Sequence, residues 1–504
     1  MSSTALLHRL LTLPPHLRRS LYSSAATHNG ASQPDIYDVV CIGGGPVGLS
    51  FVSALRSHPS TSALRVALID SQDLSTARTT HDTETYSNRC SSLTPASLRF
   101  LKQIGAWEHA KRERAQPYHA MDVWDGVSGS KIHFDSVDQQ QTGLLDAVAE
   151  MIPGSRFEAS RRKYEVEDVG VATMCENANT TSALLQRLHE MSADRSNDRQ
   201  IFEMLDKTRV ESIDLGPESQ GRKVTGSLAM ANHGANSPVR QFADIPSPGW
   251  DYNQHGVVAT LDLDQQITAQ NLRTAYQRFL PTGPVALLPL PGNKASLVWS
   301  TTPQHAAKLK TLSRPDFTAA VNAAFRLMPV DISYMLSPTS TTTPTDELAW
   351  RESATPAAST GLPRNFPRIA SVQEGSIASF PLRMRHADTY TGHRIALIGD
   401  AAHTIHPLAG QGLNLGLADA ESLAQRIAYG VDHGMDVGSC WTLDGYNSDR
   451  WAKNNAVIGV VDKLSKIYGV GSGPVVWGRS AGVEVLERLG ALKGWMMGAA
   501  AGVK

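Results

Sequence analysis

The stretch IYDVVCIGGGPVGLSFVSALRSH, Ile36 to His58, decides the fold. Ile36 to Ile42 is an apolar run of buried-strand length, Gly43 to Gly48 reads as a turn, and Leu49 to Arg56 as a helix. RVALID, Arg65 to Asp70, predicts a second strand, which completes a strand, glycine turn, helix, strand unit of the dinucleotide-binding kind. In the pattern Gly43-x-Gly45-x-x-Gly48 the glycines serve three ends: a tight turn, backbone N–H groups close to a pyrophosphate, and a helix lying close against its strand. Asp70 ends the second strand, where an acidic side chain can grip an adenosine ribose. The unit implies a dinucleotide and does not separate NAD from FAD.

A late stretch makes that separation. RIALIGD, Arg394 to Asp400, returns to the buried-strand pattern and runs into GDAAHTIHPLAGQGLNLGLADA, Gly399 to Ala420. Gly399-Asp400 at a strand end puts a carboxylate where it can accept hydrogen bonds from a sugar-alcohol chain, which FAD has and NAD lacks. Gly410-Gln411-Gly412 then opens a helix, marked by Leu413, Leu417, Ala420, Ala424 and Ile427, whose positive end can face the electron-rich edge of a reduced flavin. His403 and His406 could share a helix face as metal ligands. They lie between a strand end and Pro407 with no third ligand cluster nearby, so the expectation is ordinary hydrogen-bonded loop histidines and no metal.

The 504 residues carry a formal net charge of -1, which speaks against a nucleic-acid partner and leaves room for two or more lobes. No stretch approaches the roughly 20 apolar residues of a membrane-spanning helix. Cys41, Cys90, Cys175 and Cys440 lie far apart without a CxxC pair, which argues against a zinc knuckle or a disulfide framework; Cys41 reads as a small buried hydrophobe. Residues 1–34 hold Arg9, Arg18 and Arg19 but no acidic residue, the composition of a mitochondrial transit peptide.

Alternating apolar positions in MDVWDGVSGSKI and VVATLDLD, with GPVALLPLPGNKASLVWS turning at Pro291-Gly292, predict an antiparallel sheet covering a substrate. Residues 337–367 are rich in Ser, Thr, Pro and Ala and read as a mobile surface insertion. The expected division is 35–116, 165–245 and 385–430 for the cofactor lobe, 117–164 and 246–384 for the substrate lobe, and 431–504 for C-terminal amphipathic helices.

Gly43 to Gly48, SNRCSSL with Arg89, GANSPVR at Gly234 to Arg240, YQRFLPTGPVALLPL, SLVWS and ALIGDAAHTIHPLAGQGLNLG together resemble the UbiH-like flavin monooxygenases of ubiquinone biosynthesis. With the leader, the mitochondrial branch is the nearer one. The resemblance implies an α/β fold of class A flavoprotein hydroxylases: a Rossmann-like FAD domain with an interleaved β-sheet substrate domain and C-terminal helices. It implies FAD-dependent hydroxylation at ring position C5 of a polyprenylated 4-hydroxybenzoate intermediate, with O₂ carried as a flavin C4a-hydroperoxide. It also implies electrons from a ferredoxin and its reductase, a coenzyme Q biosynthetic complex, and a peripheral place on the matrix side of the inner membrane.

Carried onto matching positions, Gly43, Gly45 and Gly48 bind the pyrophosphate, Asp70 the adenosine ribose, and Arg89 the pyrophosphate from the far side. Gly399 and Asp400 hold the ribityl chain, while Pro407, Gly410, Gly412 and Asn414 line the isoalloxazine. No catalytic side chain is implied, since the flavin carries the chemistry. Leu280, Val285, Leu287, Leu288, Leu290 and Val298 are candidates for lining a prenyl tunnel, or for ordinary core.

Two departures stand out. In LAMANHGANSPVR the family's Ala-Asp-Gly is replaced by Asn232-His233-Gly234, and a histidine cannot supply the fixed charge of that aspartate. In ENANTTSALLQRL, Thr180 and Thr181 stand where Leu and Gln are common, which weakens the helix start. Two other readings stand beside it: an NAD(P)H-dependent hydroxylase of a small phenol, against which the altered loop and the leader speak, and a scaffold without catalysis, which the altered loop motivates.

Overall fold

The run that opens the fold is the middle of a sheet. In the computed structural model, which describes residues 35–75, 85–135, 170–193, 201–213, 224–231, 237–264, 273–337, 340–407 and 410–488, Asp35–Ile42 pairs in parallel with both Val66–Ile69 and Val224–Ala231. The described sheet orders Thr391–Gly392, Ile395–Leu397, Val224–Ala231, Asp35–Ile42, Val66–Ile69 and Phe202–Leu205. Only the Thr391–Gly392 pairing is antiparallel. A parallel strand is covered on both faces, which is why this one is apolar without alternation. Val39 and Cys41 are fully buried, and so are Leu49, Phe51 and Val52 in the helix that follows.

That helix, Pro46–Ser57, starts three residues earlier than the sequence suggests, so Gly48 lies in its first turn and the true turn is Gly43–Gly45. Proline at the first helical position explains the shift, because its missing N–H would have had no partner there. Every residue from Val47 to Arg56 is buried, because the helix is wedged between the sheet and the long helix Gly412–Asp432.

A second sheet orders His403–Thr404, Ala378–His386, Gly249–Leu263, Lys294–Thr301, Gly283–Leu290, Thr274–Leu280, Ala120–Asp125 and Lys131–Asp135, with Ile369–Val372 also on Gly249–Leu263. Gly283–Leu290 and Lys294–Thr301 form the expected hairpin, closing at Leu290 opposite Lys294 with positive φ at Gly292 and Asn293. Alternation sets two faces. Val257, Trp299, Val285 and Trp124 look towards the helices Pro303–Thr311 and Arg314–Arg326, where they build one core. Leu290 and Ala275 belong to the opposite face and pack with Tyr118, Ala172 and Met174 of a small third sheet, Cys90–Leu93, Ala172–Glu176 and Ala115–Tyr118.

The stretch 337–367 corrects the expectation of a surface insertion. Pro344–Ala354 and Ala357–Thr360 are helices, and Leu348 and Phe366 are buried in the core under the second sheet. Phe366 packs edge-on to Trp124 and Tyr276. Composition misled because small polar residues there cap helices, as Thr343 does by accepting from the Asp346 N–H, instead of marking a loop.

Two C-terminal helices, Cys440–Tyr468 and Pro474–Arg488, bind the lobes together. Arg479 makes a bidentate buried pair with Asp125, at 2.9 and 3.0 Å, and also donates to the carbonyls of Ile467 and Val470. Tyr468 stacks on Phe279 of the second sheet.

Candidate functional site

The early turn is built from backbone. Gly43 has φ +113°, a conformation that glycine alone takes freely, and donates to the Ile69 carbonyl at 2.8 Å. Gly44 is constrained by space as well: a Cβ there would lie 2.8 Å from the Leu74 side chain and 3.2 Å from Asp70. Asp70 accepts from the Gly44 N–H at 2.5 Å and from the Gln72 N–H at 2.7 Å, so from the end of Val66–Ile69 its carboxylate fastens the glycine turn. Gly45 caps the helix Pro46–Ser57 without a side-chain bond, leaving the first N–H groups to an external anion.

The late turn is built from side chains. Gly399 (φ +57°) and Asp400 form a short 3-10 turn after Ile395–Leu397. Asp400 is solvent-exposed, yet enough protein surrounds it that burial raises its carboxyl above the usual carboxylate range, with His403 pulling the other way. A group both reachable and crowded lies in a concave surface. Among the described residues a Cβ on Gly410 (φ +59°) would meet only the Ser92 Cβ, at 3.6 Å, and one on Gly412 would meet nothing within 4 Å. A 21-residue helix without a side-chain cap therefore begins at Gly412 with no described atom crowding that residue, which suits a flat ring.

The two turns come together. A Cβ on Gly416 would sit 2.6 Å from the Val47 side chain and 3.2 Å from the Gly399 Cα, so this glycine is where the late helix closes on the early one. Asn414, buried, spends its whole amide on neighbours. It donates to the carbonyls of Ser92 (2.8 Å) and Gly410 (3.2 Å) and accepts from the Thr94 N–H (3.0 Å) and the Ser97 hydroxyl (2.7 Å). Its side chain thus fixes the turn to the segment 92–97. Pro407 is half-buried and its carbonyl accepts from the Gly410 N–H at 3.0 Å.

Arg89 is exposed at the end of a segment held by a buried ion pair: Glu176 takes Arg114 in bidentate fashion, at 2.7 and 3.0 Å, and the Ser87 N–H at 2.6 Å. Among the described residues no side chain pairs with the Arg89 guanidinium. His403, in the short strand His403–Thr404 and not in a loop as expected, and His406, in the loop after it, are both buried. His403 Nε2 reaches Asp419 at 2.6 Å; His406 lies edge-on to Tyr252 and 3.3 Å from Gln254, and burial pushes its pKa down to about 4. Among the described residues no cluster of three metal-ligating side chains occurs. His233 and the loop around it lie outside the described residues. The helix Asn177–Ala193 forms despite its threonines, and Thr181 back-bonds to the Asn177 carbonyl at 2.8 Å.

Asp419 and Arg450 also belong to this site, with no motif to announce them. Asp419 bonds the Gly399 N–H, and Arg450 bonds Asp419. Their only trace in the sequence is an aspartate inside the apolar run GLADA. Arg240, from GANSPVR, holds the same turn from its other side by donating to the Ala401 carbonyl at 2.8 Å.

Of the six candidate tunnel residues, Leu280, Val285 and Leu287 belong to the core beneath the helices, and Leu290 to the smaller core with Tyr118. Leu288 and Val298 are half-buried on the face turned towards Cys90–Leu93. Two cavities of about 250 and 290 Å³ lie elsewhere, one at Pro281 and Val330 and one at Leu74 and His189. Neither includes Asp400, Gly410 or Arg89, so the site rests on the converging turns.

The family described as FAD binding domain matches residues 36–335 and 341–459. The chain is 37% identical over 474 residues to the mitochondrial ubiquinone biosynthesis monooxygenase COQ6 of Schizosaccharomyces pombe, covering 92% of this chain and 91% of that one. It is 34% identical to the protein of that name in Homo sapiens, covering 93% of each. Among solved structures it resembles p-nitrophenol 4-monooxygenase PnpA of Pseudomonas putida, with TM-score 0.59 and 18% identity over 92% of this chain and 96% of that one. It also resembles PqsL of Pseudomonas aeruginosa, a probable FAD-dependent monooxygenase, with TM-score 0.57 and 18% identity over 90% of this chain and 100% of that one. At such identity the last two speak for the fold alone, that of the class A flavoprotein hydroxylases. The cofactor is FAD, and the chain belongs to the FAD-binding domain family and, within it, to the monooxygenases of ubiquinone biosynthesis.

Proposed function

We propose that the protein hydroxylates ring carbon C5 of a polyprenylated 4-hydroxybenzoate intermediate on the route to ubiquinone, in the mitochondrion, on the matrix side of the inner membrane. The observation that carries this reading is identity of 37% over 92% of the chain with a mitochondrial ubiquinone biosynthesis monooxygenase. The convergence of two glycine turns at Gly416 supports it.

The residues present fit FAD. Gly43, Gly45, Gly48 and the free end of the helix Pro46–Ser57 hold the pyrophosphate, with Arg89 closing on it and Asp70 beside the adenosine ribose. Gly399 and Asp400 hold the ribityl chain. Pro407, Gly410 and Gly412 border the isoalloxazine, and Asn414 keeps that border in place from behind. When bound and reduced, FAD would supply the activation of O₂ by which one oxygen atom reaches an electron-rich ring and the other leaves as water. The protein's share is position and dryness. The sheet face with Leu288 and Val298 meets the strand Cys90–Leu93, which lies beside Gly410, and can take the ring and the start of its prenyl tail while keeping water out.

No described helix is long and apolar enough to cross a membrane. Val460, Leu464, Ile467 and Trp477 expose apolar surface on the two C-terminal helices, which supports peripheral contact with a bilayer. Trp495, Met496 and Met497, a further candidate for that contact, lie outside the described residues. Electrons come from a ferredoxin and its reductase, within a coenzyme Q biosynthetic complex.

The test is reconstitution with FAD, a ferredoxin, its reductase, O₂ and a prenylated 4-hydroxybenzoate. The expected product is heavier by one oxygen and hydroxylated at C5. Purified protein without flavin absorbance after FAD addition would leave only a scaffold. Fast reduction by NADPH, accelerated by a soluble phenol, would replace the ferredoxin route and the prenylated substrate.

A further inference from the structure

Asp419 lies two turns into the helix Gly412–Asp432 and is fully buried. Its Oδ2 accepts from the Gly399 N–H at 3.1 Å and from His403 Nε2 at 2.6 Å. Its Oδ1 accepts from Arg450 Nε at 2.9 Å and from Asn454 Nδ2 at 3.0 Å. An ionised carboxylate has about four acceptor sites, and all are met. The donors come from three separate pieces of chain: the turn Gly399–Ala401, the strand His403–Thr404 and the helix Cys440–Tyr468.

Such a group is a poor way to gain stability, because a well-packed apolar residue would do as well without desolvating charges. What it does supply is fixed geometry. Gly416, three residues earlier on the same face of the helix, is the residue that touches both Val47 and Gly399. The face bearing Asp419 is therefore the one against which both turns are registered. From Gly412 to Asp419 is about 10 Å of helix at 1.5 Å per residue, so the carboxylate sets how far the turn of Asp400 lies from the helix end.

We propose that Asp419 is a positioning residue for FAD: it locks the turn presenting Asp400 to the helix whose first turn borders the isoalloxazine. The inference rests on the placement of the ribityl chain at Asp400 put forward above. Burial acts to raise the Asp419 carboxyl, but His403, Arg450 and Asn454 outweigh it and hold it below the usual carboxylate range, so the group carries charge at neutral pH. Removing that charge leaves Arg450 uncompensated behind the cradle, which favours the more negative, reduced form of the flavin.

The test compares Asp419→Asn and Asp419→Glu with the parent full-length protein. In the Asn variant, FAD titration of the apoprotein should show affinity weakened by about tenfold, the loss expected for one charge-assisted bond. With FAD saturating, its visible circular dichroism should change and its midpoint potential should rise. The Glu variant keeps the charge but displaces it by one methylene; its affinity should fall less and its potential should stay at the parent value. If the saturated Asn variant matches the parent in circular dichroism and potential while its apoprotein melts lower, Asp419 is only structural and the proposal fails. Should the Asn variant not fold, the Glu variant decides: parent-like affinity overturns the proposal, and weakened affinity with a parent-like apoprotein melting point supports it. Asp400→Ala separates the two readings. If it keeps FAD, the ribityl placement and this inference both fall; if it loses FAD while both Asp419 variants bind like the parent, this inference falls alone.

Discussion

The early turn and the late turn meet at one place but are held by different physics. Gly43–Gly45 is shaped by dihedral freedom, by the lack of room for a Cβ on Gly44, and by one carboxylate 26 residues on, Asp70. Gly399–Ala401 is held from both sides by charged groups, the buried Asp419 on its N–H and the half-buried Arg240 on its carbonyl. The first design is local and backbone-made, as a pyrophosphate needs donors without side-chain preference. The second is long-range and polar, as a flexible polyol and a ring edge need acceptors at fixed spacing. A site of this kind can therefore tolerate drift around its early turn better than around its late one.

The sharpest way to break this contrast is Asp400→Ala. Loss of one exposed carboxylate from the late turn should abolish FAD retention through a desalting column, read by absorbance at the flavin band; full retention would remove the late turn from the site. Next comes Gly416→Val, which joins the two turns. Its side chain would meet Val47 at 2.6 Å from the Cβ alone. Overpacking of this kind costs about 1–3 kcal/mol, and it should push the turns apart, lowering both the melting point and FAD affinity; a change in melting alone would show that the seam does not shape the site. The smallest effect concerns pH. His406 is buried with its pKa pushed down to about 4, so the unfolded chain binds its proton first, and stability present above its ordinary value is lost as pH falls towards 4. His406→Gln should flatten the fall in melting temperature across that interval. His386, also pushed down to about 4 by burial and by His403, should leave a residual slope. An unchanged slope in the variant would assign the whole fall elsewhere.

What the sequence disclosed follows the same line. Gly43, Gly45, Gly48 and Asp70 were legible because strand period, glycine spacing and strand-end position are local rules. Gly399, Asp400 and Gly412 were legible for the same reason, one turn each after or before a regular element. Asp419 and Arg450 were not, since their meaning lies in partners 20 and 31 residues away brought together by helix packing. The role of Asn414 shifted for a related reason: its position beside the turn could be read, but its four bonds to the segment 92–97 and Gly410 could not. The helices within 337–367 were hidden because Thr and Pro at helix starts look like loop composition until the apolar contacts of Leu348 and Phe366 are known.

The Asp125–Arg479 pair spans 354 positions of chain. A ribosome releases Asp125 long before its partner exists, and a buried carboxylate left alone costs roughly 3–5 kcal/mol. The end of the second sheet formed by Ala120–Asp125 and Lys131–Asp135 can therefore reach its final state only after synthesis has passed Arg479. Until then it is an unfinished surface, a natural target for chaperones and proteases, and nonsense mutations upstream of Arg479 should act through disposal of the protein more than through its chemistry.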